Sequence, residues 1–204
     1  MCGDTKIGPK SKALLALEES LDSRERAFLL ALSKKTLRQC VESGPLPEVL
    51  ESEKSKGLLL ENHCFVTLRI GTALRGCIGS IAPKIPLYER IIESTRSAAL
   101  EDPRFKAVQR AELDSINVKI SVLTEAEALH YESSEELLQQ LVPFKHGVIV
   151  RKGWQAATYL PQVWAHVSDK ERFLSELCVK AGLDPAAWKE PSTKVEVFES
   201  LSIG

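Results

Sequence analysis

The segment LRGCIGS, from Leu74 to Ser80, places a thiol and a guanidinium group close together in the chain. If this segment is a β-strand, Arg75 and Cys77 lie on one face, because side chains two residues apart point the same way. The same period places Leu74 and Ile78 on the other face. A neighbouring guanidinium stabilises the thiolate, which is the nucleophilic form of cysteine. The pattern predicts that Cys77 is a nucleophile and that Arg75 binds an anionic group or holds the thiolate.

Two glycines flank this cysteine, and they allow two interpretations. Glycine inside a strand marks a bulge, or a place where a ligand or another backbone comes close. In the first interpretation, Gly76 and Gly79 line an open ligand site around Cys77. In the second, Cys77 is a small apolar side chain in a tightly packed hairpin, and Arg75 pairs with a carboxylate. The residue types alone leave both interpretations open.

A second motif, Asp102-Pro103-Arg104-Phe105, follows a predicted helix. As a turn, this motif lets Asp102 accept hydrogen bonds from backbone amides and lets Phe105 enter the core. As part of a binding site, it places Asp102 and Arg104 beside a ligand, with Arg104 facing an anionic group. The local sequence favours the turn.

Two further polar residues complete the candidate site. His146 precedes a predicted strand and is a candidate general base for Cys77, in a Cys–His arrangement. Its alternative role is that of an exposed or backbone-bonded histidine, since its distance along the chain says nothing about proximity to Cys77. Gln162 offers amide donors and acceptors to a ligand.

The elements that position these residues predict an α+β fold. Short turns between neighbouring strands favour antiparallel pairing. Strands are expected at 65–70, 74–81, 116–122, 147–150, 155–159 and 195–198. The first two strands should form a hairpin that contributes Val66, Leu68, Leu74 and Ile78 to the core. Capping residues and apolar periodicity predict helices that begin near Asp22, Pro86, Ser133 and Asp169.

The composition of the 204 residues is that of an ordinary soluble protein. Lys and Arg total 27 against 28 Asp and Glu, and this net charge of −1 gives no general reason to bind nucleic acid or an anionic membrane. The apolar runs are too short to span a bilayer, and no secretion signal is recognised. The five cysteines are therefore expected to be reduced thiols in the cytoplasm.

The sequence predicts neither a cofactor nor a metal. It contains no P-loop, no dinucleotide glycine pattern and no CxxxCxxC spacing, and its Cys and His residues lack the spacing of a zinc site. Residues 1–21 are expected to form a weakly ordered leader, with a helical turn or two at 13–19. Residues 22–204 are expected to form the domain.

Seven short motifs occur in the order found in one family. They are Phe65–Leu68 (FVTL), Leu74–Ser80 (LRGCIGS), Asp102–Phe105 (DPRF), Ile120–Leu123 (ISVL), His146–Gly147, Leu160–Trp164 (LPQVW) and Lys180–Leu183 (KAGL). Over about residues 22–200, the chain resembles the AMMECR-type domain, in the prokaryotic branch called AmmeMemoRadiSam system protein A. One departure is Asn62-His63-Cys64, where the family usually has a Gly-Ala-like approach to the first strand.

The resemblance implies an α+β fold with a larger lobe, a smaller lobe and a cleft between them. It also implies two partners, a Memo-like protein related to extradiol dioxygenases and a radical SAM protein. The family supplies no established reaction, so two hypotheses follow. In the first, the chain handles a substrate in a radical-SAM-linked modification system, with Cys77 as nucleophile or covalent carrier. In the second, it is a non-enzymatic module that binds a small molecule, peptide or protein through the same cleft.

Overall fold

The computed structural model describes residues 9–80 and 85–204, and for Ser80 it describes the backbone only. Within these residues the helices are α1 (Lys12–Ser20), α2 (Ser23–Val41), α3 (Leu87–Leu100), α4 (Ser134–Gln140) and α5 (Lys170–Lys180). The strands are β1 (Cys64–Ile70), β2 (Ala73–Ser80), β3 (Ile116–Leu123), β4 (Glu127–Ala128), β5 (Gly147–Lys152), β6 (Gln155–Tyr159), β7 (Lys194–Phe198) and β8 (Ser200–Ile203). The predicted α+β class is confirmed.

The first sheet contains β2, β1, β3 and β8 in that order, so β2 is an edge strand. β1 pairs antiparallel with β2 on one side and with β3 on the other, which confirms the predicted hairpin. One face of the sheet carries Val66, Leu68 and Ile120, and these side chains are completely buried. The helix α3 packs against β1 and β2, and its Ala98 carbonyl lies against the backbone of Gly76.

Side-chain hydrogen bonds fix the start of α2 and join α2 to α3 next to this sheet. The Asp22 side chain accepts from the Glu25 backbone N–H and the Glu25 side chain accepts from the Asp22 N–H, a capping box that begins α2 at the predicted position. α2 packs against α3, and the hydroxyls of Ser33 and Thr95 lie 2.7 Å apart between them, both buried. A buried pair of this kind satisfies two polar groups that would otherwise be costly to bury.

The second sheet contains β4, β7, β5 and β6 in that order, with antiparallel pairing throughout. Its core includes Trp164, from the 3₁₀ helix Pro161–Ala165, and Phe173 from α5. The two rings stack with centroids 3.6 Å apart and planes 3° from parallel. The side chain of Asp169 caps α5 by accepting from the Arg172 N–H, as the sequence predicts.

The chain divides into two compact units, each with one of these sheets. The first unit comprises Leu15–Thr124 and Leu201–Gly204, and the second comprises Glu125–Ser200 together with the segment up to Leu14. Cys77 belongs to the first unit, whereas His146 and Gln162 belong to the second. The lobes and the cleft that the family resemblance implies stay a prediction.

Three of the elements differ from the sequence expectations. The helix α1, in the expected weakly ordered leader, spans Lys12–Ser20, longer than the helical turn or two expected at 13–19, and Leu14, Leu17 and Leu21 recur at helical spacing and are buried. The remainder of that expected leader, residues 1–8, lies outside the described residues. The strands β4 and β8 have two and four residues, which are too short to give a clear alternation.

The expectation that Leu74 and Ile78 share a face is wrong. The register of β2 against β1 shifts by one residue at Arg75, which forms a β-bulge. On one side of the bulge Ile78 lies opposite Val66, on the face that α3 covers, whereas on the other side Leu74 lies opposite Arg69. Directly opposed residues share a face of the sheet, so the extra residue reverses the face on which Leu74 lies.

Candidate functional site

Cys77 lies on the edge strand β2, directly opposite Thr67 of β1. The two side chains therefore share a face, and Sγ of Cys77 lies 3.3 Å from Oγ1 of Thr67. The Cys77 side chain is half-buried, in contrast to Cys64, which lies on the helix-covered face and is completely buried. Burial raises the pKa of the Cys64 thiol to about 12, so that thiol is not suited to chemistry at neutral pH.

The backbone of Cys77 is held by two side chains of the Asp102–Phe105 motif. The Cys77 N–H donates to Oδ2 of Asp102 at 2.8 Å, and Nη2 of Arg104 donates to the Cys77 carbonyl at 3.0 Å. The two side chains also bind each other, because Nε and Nη2 of Arg104 donate to Oδ1 and Oδ2 of Asp102 at 2.9 and 2.7 Å. The pair therefore binds both backbone groups of one residue of the strand, and we call it the edge cap.

The carboxyl group of the edge cap is buried and strongly acidic. The hydrogen bond from Arg104 is the main cause that lowers the pKa of Asp102 from 3.8 to about 2, and the Cys77 N–H contributes in the same direction. Burial opposes this shift, since the side chain of Asp102 is only 2% exposed, against 53% for Arg104. Asp102 is therefore a carboxylate at neutral pH, and both of its oxygens accept hydrogen bonds.

Arg75, the bulge residue, pairs with a second carboxylate. Its Nε and Nη2 donate to Oε1 and Oε2 of Glu112 at 2.6 and 3.0 Å, a two-point contact with the 3₁₀ helix Arg110–Ser115. Glu112 also accepts from the Gln109 N–H at 2.7 Å. The hydrogen bond from Arg75 is the main reason that the pKa of Glu112 is lowered. Arg75 thus pairs with a carboxylate, as the second interpretation expects, while the role of Cys77 stays a prediction.

The ring of Phe105 connects the two arginine pairs. The guanidinium carbons of Arg104 and Arg75 lie 5.6 and 5.9 Å from its centroid, which is within the range of a cation–π contact. The Phe105 side chain is half-buried. The ring therefore packs against two cations as well as against apolar neighbours, in place of the simple core position expected for it.

The pairing of both arginines changes the expectation for the thiol. The sequence predicts that Arg75 holds an anion or the Cys77 thiolate and that Arg104 faces an anionic ligand, but each guanidinium binds a carboxylate. The cation that interacts with Cys77 is Arg104. The pKa of Arg104 is raised, mainly by the hydrogen bond to Asp102, with a smaller contribution from the Cys77 side chain. The structure thus brings Cys77, Asp102 and Arg104 together and directs Arg75 to Glu112.

Close packing explains why glycine occupies positions 76 and 79, on either side of Cys77. A Cβ atom at Gly76 would lie 2.2 Å from the Ala98 carbonyl oxygen of α3. A Cβ atom at Gly79 would lie 2.3 Å from the Cys64 carbonyl oxygen and 2.4 Å from the Phe65 ring. Both distances are far inside van der Waals contact, so each glycine permits a close approach of this chain's own atoms. Their role as the wall of a ligand site stays a prediction.

His146 forms backbone hydrogen bonds in the second unit. Its Nδ1 accepts from the Val142 N–H at 3.3 Å, and its carbonyl accepts from Nε1 of Trp164 at 2.7 Å. Burial is the main cause that lowers the pKa of His146, so the neutral ring is favoured. Since Nδ1 is an acceptor, the proton of the neutral ring lies on Nε2, and neither nitrogen is then free to take a proton. This bonding matches the backbone-bonded alternative for His146.

Gln162 lies in the 3₁₀ helix Pro161–Ala165 of the second unit, and its side chain is half-buried. Its role as a ligand-binding residue stays a prediction, as does any joint role of His146 with Cys77.

Sequence reasoning missed two residues that belong to the candidate site. Thr67 could have been found, because pairing 65–70 with 74–81 around the turn places it close to Cys77. Glu112 could not, since it lies in a short helix far along the chain and nothing local marks it as the partner of Arg75. The sequence indicates the two motifs LRGCIGS and DPRF separately, but it gives no sign of their contact at the Cys77 backbone.

The fold and the site together define an α+β protein of two antiparallel sheets, with a thiol on an edge strand held by an acid–arginine pair. The sequence model of the AMMECR1 family matches residues 30–203. The chain is similar to Protein MK0488 of Methanopyrus kandleri, 36% identical over 186 residues that cover 89% of each chain. It is also similar to a protein of Thermococcus gammatolerans, 39% identical over 185 residues that cover 84% of this chain and 88% of that one.

A solved structure has the same fold. The crystal structure of the uncharacterized protein PH0010 from Pyrococcus horikoshii matches with a TM-score of 0.83 and 33% identity, and covers 90% of this chain and 92% of that one. The chain belongs to the AMMECR1 family, a family of unknown activity. The resemblance inferred from the seven motifs is therefore confirmed.

Residues 9–80 and 85–204 contain neither a candidate metal site nor a candidate membrane-spanning helix. Within that part of the chain, no group of three or more His, Cys, Asp or Glu side chains is arranged to hold a metal ion. No helix there is both long and apolar enough to cross a membrane.

Proposed function

We propose that this protein handles a substrate or ligand in a cytoplasmic radical-SAM-linked modification system, through the surface around residues 75–79. One observation carries the proposal for the site. Cys77 is a half-buried thiol whose backbone N–H and C=O are both fixed, by Asp102 and Arg104 respectively. A fixed backbone fixes the Cα–Cβ bond of Cys77, and the contact of Sγ with Oγ1 of Thr67 at 3.3 Å limits where the sulfur lies, which favours the orientation of a reacting atom.

The proposed chemistry begins at the sulfur of Cys77. The thiol loses its proton to solvent, and the sulfur then adds to an electrophilic carbonyl carbon of the substrate, so that the S–C bond forms as the C=O π bond breaks and its electron pair moves to oxygen. Arg104 holds the Cys77 backbone at its carbonyl, and the Thr67 hydroxyl lies 3.3 Å from the sulfur. Radical chemistry belongs to a radical SAM partner protein, and a Memo-like protein is the second proposed partner.

A second candidate function is a non-enzymatic module that binds a small molecule, a peptide or a protein through the same surface. Two observations favour it. The guanidinium groups of Arg75 and Arg104 are each paired with a carboxylate, which reduces the positive charge that an anionic substrate would meet. The proposed base, His146, accepts a backbone hydrogen bond at Nδ1. In this function Cys77 contacts the ligand but forms no covalent bond.

Mass spectrometry of the purified protein distinguishes the two functions. The protein is isolated from its native cells, its intact mass is measured, and the retained metabolites and peptides are identified after denaturation. Substrate handling predicts a mass adduct that maps to Cys77 and is lost in Cys77→Ser. The matched control is Cys40→Ser, because Cys40 is also half-buried and should keep the adduct.

The other outcomes are equally informative. A compound that the wild type and Cys77→Ser both retain without any adduct would establish the binding module and overturn the covalent role. Identical profiles for all variants, with nothing retained, would contradict both functions for this surface.

A further inference from the structure

Among the described residues, the strand β2 forms one edge of the first sheet, whose order is β2, β1, β3, β8. An edge strand exposes backbone N–H and C=O groups that can pair with an extended segment of another chain. In an antiparallel sheet, every second residue of the edge strand directs both of these groups outward. Cys77 is such a residue of β2, because its N–H and C=O bind the side chains of Asp102 and Arg104.

The edge cap reproduces the hydrogen bonds of a further strand. A paired strand would offer Cys77 one acceptor for its N–H and one donor for its C=O. Asp102 supplies the acceptor at 2.8 Å and Arg104 the donor at 3.0 Å. Because the carboxylate and guanidinium also bind each other at 2.7 and 2.9 Å, the two groups are held together in this position.

The bulge at Arg75 adds a second obstacle on the same strand. It interrupts the regular register of β2 two residues before Cys77. Bulges at sheet edges disturb the regular spacing that a new strand would need. The regular part of the edge is therefore short, and the edge cap lies within it.

We propose that Asp102 and Arg104 cap the edge of the first sheet by taking the place of a further strand, and that they prevent β2 from pairing with β2 of a second copy of this chain. This role does not depend on the reactivity of Cys77. It assigns the DPRF motif a structural role, which is to occupy backbone groups at this edge of the sheet so that another strand cannot pair with them. It also predicts that loss of the cap produces an association between copies.

The test compares the full-length wild type with the double variant Asp102→Ala/Arg104→Ala. Sedimentation velocity over a hundredfold range of protein concentration measures association, and hydrogen exchange followed by mass spectrometry measures protection of the Cys77 amide. The double variant should form a species of twice the wild-type mass as the concentration rises. At low concentration its Cys77 amide should exchange at least tenfold faster than in the wild type, and protection should return as the new species forms.

The matched control is Glu101→Gln, which removes the neighbouring ion pair with Arg96 at 2.6 Å and leaves Cys77 untouched. This variant should sediment and exchange like the wild type. The proposal is overturned if the folded double variant sediments like the wild type at every concentration.

A milder variant covers the case in which the double variant does not fold. Arg104→Gln keeps the buried Asp102 and opens only the carbonyl side of the cap. The proposal predicts a smaller, concentration-dependent increase in mass for this variant. Sedimentation of folded Arg104→Gln that matches the wild type throughout the range would then overturn it.

Discussion

Two arginine–carboxylate pairs contact the same ring, Phe105, and they hold different parts of the same strand. Arg75 and Glu112 join a side chain of β2 to a short 3₁₀ helix, whereas Asp102 and Arg104 bind the backbone of β2 at Cys77. The chemical groups are the same in both pairs, and both make two-point contacts. The pairs differ in which partner is buried and in what is left unpaired when one partner is removed.

The two carboxylates differ in how deeply they are buried. The side chain of Asp102 is 2% exposed, against 27% for that of Glu112. Loss of Asp102 leaves the Cys77 N–H without its acceptor and Arg104 without its counter-charge. Loss of Glu112 removes the partner of Arg75, but water can reach the place that Glu112 occupied. The comparison predicts that the pair with a buried member that also binds the backbone of a neighbouring element contributes more to the stability of the fold.

The largest expected effect is on the free energy of unfolding. Replacing Asp102 with Ala should lower it by about 3 kcal/mol, because a buried pair is broken and a backbone donor loses its partner. Replacing Glu112 with Ala should lower it by about 1 kcal/mol, as expected for a half-exposed pair. Urea denaturation of both variants measures the difference. Equal losses would mean that the hydrogen bond to the Cys77 backbone adds nothing to the stability of the buried pair.

Lowering the pH should weaken the pair of Asp102 and Arg104. Because the pKa of Asp102 is lowered from 3.8 to about 2 in the folded state, its stabilising contribution is fully present above pH 4 and is lost as the pH falls towards 2. The contribution amounts to about 2 kcal/mol. Unfolding measured between pH 5 and pH 2 should therefore show a steeper loss of stability for the wild type than for Asp102→Asn. Parallel curves for the two proteins would show that Asp102 titrates normally.

The reactivity of Cys77 should distinguish Arg104 from Arg75. Arg104→Gln should change the rate of iodoacetamide alkylation of Cys77 at neutral pH about threefold, because the Cys77 carbonyl loses the hydrogen bond that fixes the backbone beneath the thiol. Arg75→Gln should leave the rate close to that of the wild type, since Arg75 binds Glu112. Mass spectrometry gives the rates, each normalised to the denatured protein, and the buried Cys64 provides an unlabelled internal reference. Slowing by Arg75→Gln alone would restore the role that the sequence predicts for Arg75.

The smallest effect concerns His146. Its pKa is lowered, so the wild type should lose a little stability as the pH falls below about 6.5, where the unfolded chain takes up a proton more readily than the folded one. His146→Gln should remove that part of the pH dependence. Alkylation of Cys77 at pH 7 should stay within about twofold of the wild type. A tenfold slower alkylation would instead establish His146 as the base for Cys77.

Local sequence was sufficient for most of the fold around the site. The capping box of Asp22 and Glu25 places the start of α2, and the alternation around Gly71 gives the hairpin of β1 and β2. The helix α3 begins after Pro86 and ends before Asp102, as the sequence suggests. These features depend on residues within one turn or one hairpin of each other, so a short stretch of sequence contains the information needed to infer each of them.

The bulge at Arg75 marks where local reasoning fails. The two-residue alternation of a strand predicts the faces of Leu74 and Ile78 only while the register is regular. The bulge places Leu74 on the face opposite to that of Ile78. A glycine next to Arg75 allows for such a bulge but does not require one. The packing of α3 against Gly76 requires contact between elements that are separate in the sequence.

The sequence by itself determined the α+β class and the family, and it indicated Cys77, Arg75, Asp102 and Arg104 as candidate site residues. Only the tertiary structure decided which more distant groups these side chains bind. Arg75 could have met either carboxylate, and its choice of Glu112 follows from where the helix Arg110–Ser115 packs. Arg104 and Asp102 reach the backbone of Cys77 because α3 ends beside the edge of the sheet. Ion pairs and hydrogen bonds form over a few ångströms, and only the packed chain brings Glu112 to Arg75 and the DPRF motif to Cys77 within that distance.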